Sequence, residues 1–83
     1  MKTIQRYTPV LIAAGGTASG GWAGIGSFIC KTTGTITVTD GNGATVIDAF
    51  PVTQGNVYEF NIYLQGRKGT VALTTAAGTL TVA

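Results

Sequence analysis

Histidine is absent from this chain, cysteine occurs once, and carboxylates number three. Each shortage excludes a class of chemistry. Ser19 and Ser27 have no imidazole to activate them, and Cys30 has none either. A single cysteine forms no internal disulfide, and without histidine or a cysteine cluster there is no donor set for structural zinc. Asp40, Asp48 and Glu59 are the whole acidic complement and fall in no obvious pair. We therefore expect a non-enzyme with no cofactor and no metal. Charged residues make up only 10% of the chain, against roughly 25% in an ordinary soluble domain. The net charge of +2 gives no footprint for nucleic acid. No apolar run approaches the roughly 20 residues of a membrane span. The run Pro9–Ala14 also falls short of the roughly 7–15 residues of a secretory leader.

What is present is β chemistry. Fifteen threonines and thirteen glycines punctuate short apolar alternations over 83 residues. This length allows one domain with a thin core. Such small domains often rely on a staple or a partner. Low charge and no staple lead us to expect an oligomeric or assembly partner.

Gly34 to Leu64 carries the clearest pattern. Ile36 and Val38 alternate with Thr35, Thr37 and Thr39, the period of a half-buried strand. Asp40-Gly41-Asn42-Gly43 is a hairpin signal. Facing Asp40 with Ala44 would face Val38 with Val46, although a shift of one residue fits equally well. As a calcium loop the stretch fails, because Pro51 stands where the closing acid belongs. Pro51 should close the return strand. In Val57–Leu64, Tyr58, Phe60, Ile62 and Leu64 take one face, while Val57, Glu59, Asn61 and Tyr63 take the other. Near the C-terminus, Val71 and Leu73 answer Leu80 and Val82 as a second hairpin. Cys30 reads as a small core residue. The glycines at 24 and 26 suggest a bulge or close approach.

These readings predict an all-β fold: a small antiparallel sandwich or barrel of six to seven short strands, with an extended N-terminal segment. Residues 1–21 read as that segment and a glycine-rich joint, and residues 22–83 as the β domain. Pro9 marks the segment as an edge strand. Its apolar residues lie on both faces, Ile4, Val10 and Ile12 on one and Tyr7 and Leu11 on the other. We expect it to reach a neighbouring subunit, the alternative being an intrinsic first strand. Trp22 reads as an anchor into a neighbour. Arg67 and Lys68 form a basic turn that would contact a partner, against the plainer reading of a solvated tip. The threonine ladders are too short and irregular for ice binding.

Residues 34–40 (GTITVTD), 43–53 (GATVIDAFPVT), Gly55 and the closing 78–82 (GTLTV) resemble small β-rich virion proteins of tailed bacteriophages. The resemblance spans residues 28–83. It implies a structural virion protein, most often one that decorates or cements the capsid. The implied partner is the major capsid protein or another virion protein, and a homo-oligomer, with a trimer at a local three-fold favoured, fits that role. The implied location is the capsid surface, after synthesis in the host cytoplasm. Two other roles remain: a tail, collar or fibre component, and a carbohydrate-binding module using Trp22, Tyr58 and Tyr63.

Overall fold

A computed structural model describes residues 7–83. Ile4, one of the residues expected at an interface, lies outside the described residues. The chain forms eight strands: β1 (Thr8–Ile12), β2 (Thr17–Gly20), β3 (Gly24–Thr32), β4 (Gly34–Asp40), β5 (Thr45–Val52), β6 (Val57–Tyr63), β7 (Gly69–Thr74) and β8 (Ala77–Val82). A short 3-10 turn, Gln65–Arg67, joins β6 to β7. Two four-stranded antiparallel sheets result, ordered β1-β8-β3-β6 (sheet A) and β2-β7-β4-β5 (sheet B). This is the sandwich of the two architectures expected. Of its chain-adjacent strands, only β4 and β5 pair in one sheet. Every other link crosses between the sheets.

Alternation explains the core. In sheet A, Val10, Leu80, Phe28 and Tyr58 stand in one register row across the four strands. In sheet B, Ala18, Val71, Val38 and Ile47 form the corresponding row. Phe28, Ile36, Val38, Val71 and Leu80 are all fully enclosed. Each such side chain contributes about 1.5–3 kcal/mol by leaving water. Cys30 is buried, and its Sγ donates to the Thr32 carbonyl at 3.1 Å. It is the small core residue expected.

Three expectations are corrected. Within the expected N-terminal segment and joint, Thr8–Ile12 and Thr17–Gly20 are strands. β1 pairs along its whole length with β8 of its own chain, and Ile12 is buried in the shared core. Thr8–Ile12 is thus an intrinsic edge strand. Within the expected joint, residues 17–20 pair with β7 as β2. The turn before β2 is held by Gly15 N donating to Ala76 O and by Gly16 O accepting from Leu73 N. A glycine suits the end of β2 because a Cβ on Gly20 would meet the Trp22 ring. Third, the expected C-terminal hairpin is an arch. β7 and β8 lie in opposite sheets, so Leu73 and Leu80 belong to facing walls of the core. Thr75 turns the chain with φ 58°, and Ala76 and Ala77 make the crossing buried. Of the two registers left open for the β4–β5 hairpin, the shifted one is observed at Val38, which faces Ile47. Asp40 N does donate to Ala44 O at 2.9 Å, but the ladder then slips by one residue at Val46.

The four edge strands each carry a feature that discourages further pairing. β1 contains Pro9, and β2 is only four residues long. β5 contains Pro51 one residue before its end, and a kink at Ala49 with φ 45°. β6 bulges at Asn61, φ 49°, opposite Gly26, near the irregularity that the spaced glycines suggested.

Candidate interaction surfaces

The outer face of sheet A is built from the residues that alternate with the core row. Leu11, Thr79, Ile29 and Val57 stand in register across all four strands. Leu11 is 81% exposed and Val57 58%. On the same face the Tyr7 ring lies against Gly26, where an added Cβ would meet both that ring and the Thr81 hydroxyl at 2.8 Å. Tyr63, 87% exposed, stands at the end of β6. Among the described residues, five of the seven large apolar side chains left exposed therefore share this face. Lys31 and Glu59 are its charged members. Ser27 N donates to the Thr81 hydroxyl at 2.8 Å, which ties the polar row beside Leu11 into the sheet.

Sheet B presents a different outer face. Ser19, Thr70, Thr39 and Thr45 form one row. Thr17, Thr37, Thr74 and Thr35 lie around it, uncharged and partly or fully exposed. Exposed large apolar side chains gather on one side of the sandwich, and threonine hydroxyls on the other.

A third surface lies where the sandwich opens between edge strands β5 and β6. Phe50, opposite Ile36, points inward from sheet B, and Tyr58 and Phe60 point inward from sheet A. Phe50 meets Tyr58 and Phe60 edge-on at 5.8 and 5.9 Å between centroids. Such pairs contribute about 0.5–1.5 kcal/mol beyond burial. Together with Ile47, Asp48 and Glu59 they line a cleft of about 560 Å³. The Tyr58 hydroxyl accepts from the Asn56 side-chain amide at 3.4 Å and from Thr53 N at 2.8 Å. The two donors, Asn56 first, favour the phenolate and hold the phenol below its ordinary range.

The other expected residues are placed as follows. Val10 packs against the core and Ile12 is part of it, so of the described N-terminal candidates Leu11 and Tyr7 remain at the surface. Trp22 lies over its own sheet: a Cβ on Gly20 would sit 2.6 Å from its Nε1, and one on Gly69 2.9 Å from its Cε3. The indole is part of the wall of the domain, and most of its surface is taken. Arg67 and Lys68 are exposed at the turn after β6. Asp40 Oδ1 accepts from the backbone N of Asn42 and of Ala44, each at 2.9 Å. It works as the hairpin's internal brace.

Sequence reasoning passed over Ile29, Val57, Phe50 and Phe60 as surface groups. For Ile29 and Val57 the signal was their place opposite buried neighbours in two alternating strands. For Phe50 no pattern points to the cleft, because its exposure follows from β5 being an edge. No protein-family model matches this chain, and no curated protein and no solved structure matches it.

Proposed function

We propose that this is a non-catalytic assembly protein of a tailed-bacteriophage particle, a decoration or cement protein that lies with the outer face of sheet A on the head. The observation that carries the reading is the difference between the two faces. A surface with Leu11, Ile29, Val57, Tyr7 and Tyr63 exposed together is the kind that marks a protein contact. The opposite face of threonine hydroxyls suits solvent. The resemblance of residues 28–83 to small phage virion proteins names the particle, and the major capsid protein is the partner it implies. The low charge fits a protein covered on one side. Copies arranged around a local symmetry axis of the head would gain avidity without tight single contacts.

The test is reconstitution. Leu11→Lys with Val57→Lys should leave stability within about 0.5 kcal/mol, since both side chains are outside the core, and should abolish binding of the purified protein to particles that lack it. Depleted particles should assemble but rupture at lower temperature. Unchanged binding by the double variant, or depleted particles as heat-resistant as complete ones, would overturn the reading. Normal heat resistance with failed infection would instead place the protein in the tail, collar or fibre.

A sugar-binding role has one observation in its favour. Tyr7 and Tyr63 flank a hollow of about 450 Å³ with Asn61 and Ile62 in its wall. Retention of a glycan that is lost in Tyr63→Ala would support that role over particle binding.

A further inference from the structure

We propose that copies of this protein associate head to tail, with the Arg67–Lys68 tip of one copy seated in the β5/β6 cleft of the next. The contact is lateral and does not depend on the particle reading above.

Charge complementarity points to the occupant. Of the three carboxylates, Asp40 is buried and engaged by its own turn. The other two, Asp48 on β5 and Glu59 on β6, stand on the two edge strands that form the lips of one cleft. Arg67 and Lys68 are adjacent and exposed. Among the described residues none of these four charges makes an ion pair within the chain. The cleft also offers the faces and edges of Phe50, Tyr58 and Phe60. Aromatic walls with a carboxylate on each lip suit a guanidinium or ammonium on an apolar stem, through both ion pairing and cation–π attraction.

The tip is built to project. Gly66 and Arg67 both take left-handed backbone, φ 72° and 49°. Arg67 is a residue with a Cβ, and backbone of this kind persists only where the surroundings impose it. Here the surroundings are the β4–β5 turn. Gly41 N donates to Gln65 O at 2.8 Å, and Gly66 lies directly on Gly41. The two cations are thus presented on a braced corner. Four residues of strand, roughly 13 Å at the usual rise, run from Glu59 to Tyr63 before the turn begins. A tip at that remove serves another copy's cleft better than its own.

Tip and cleft are different patches, so the contact is heterologous. Each copy uses both, and the product is a ring or an open chain, not a two-fold dimer.

Sedimentation velocity on the full chain up to about 1 mM tests this. The wild type should form species larger than a dimer at low salt, and about 0.5 M salt should weaken association about tenfold by screening. Arg67→Glu with Lys68→Glu should give a monomer, and so should Asp48→Lys with Glu59→Lys, both with unchanged circular dichroism. Mixing the two variants should restore assembly, because the acidic tip now meets the basic cleft and the reverse pair also forms. A wild type that stays monomeric overturns the proposal. So do variants that assemble as the wild type does, and variants whose mixture stays monomeric. If cleft variants lose particle binding while tip variants keep it, the occupant is a basic segment of another virion protein and the proposal falls. Should a reversal variant fail to fold, carbodiimide cross-linking of mixed isotope-labelled and unlabelled wild type decides. Lys68 joined to Asp48 or Glu59 across the labels supports the contact, and its absence overturns it.

Discussion

Asp40 is the buried carboxylate of the described residues, and its two bonds to Asn42 N and Ala44 N close the β4–β5 turn. Asp40→Ala leaves both donors without that acceptor and should cost about 1–3 kcal/mol in urea unfolding. Asp40→Asn keeps a carbonyl oxygen and should cost less. An Ala variant as stable as the wild type would show that the turn holds without its brace. Tyr58 has a different signature. Its phenol, favoured as phenolate by Asn56 and Thr53 N, should ionise before the ordinary value of 10.0 in an ultraviolet titration. Asn56→Ala should move it back up. The folded state has the lower pKa, so this group adds stability that is complete above the unfolded value and lost as pH falls through the folded one. Asp40's role was legible in the sequence, because Asp before Gly-Asn-Gly has few other uses. Tyr58's was not, since Asn56 and Thr53 reach it only through the curl of the β5–β6 link.

At the scale of elements, the alternation of Ile36, Val38, Tyr58, Phe60, Leu73 and Leu80 was enough to assign strands and inward faces. It could not say which strand pairs with which. Val71 and Leu73 have the same parity relative to Leu80 and Val82 in a hairpin and in an arch. Only the buried Ala76–Ala77 crossing separates the two. β2 escaped notice because Thr17–Gly20 has no large apolar residue. The interface candidates split for the same reason, as Ile12 and Leu11 are neighbours in sequence and opposites in the pleat. β1 now carries a prediction. Deleting residues 1–12 removes Val10 and Ile12 from the core and bares β8, whose edge no Pro or bulge blunts. We expect a loss of about 3–5 kcal/mol from these two side chains. The truncated chain should melt far below the full one and aggregate, as followed by circular dichroism and sedimentation. An unchanged melting point would show that β1 is an appendage.

For the whole molecule, the stacking of chain neighbours in opposite sheets has a consequence in time. The β4–β5 hairpin closes locally, whereas every other pairing waits for a distant stretch of chain. All-β sandwiches of this kind fold in milliseconds to seconds. Refolding followed by Trp22 fluorescence should fall in that range, and a microsecond phase carrying the full amplitude would contradict it. Synthesis sharpens the point. β1 is among the first strands to emerge, and its partner β8 is the last of the eight. At about 5–20 residues per second, β1 is left for several seconds with nothing to join. Sheet A is therefore closed from its two ends, and a chain halted anywhere before β8 has a first strand but no place to put it.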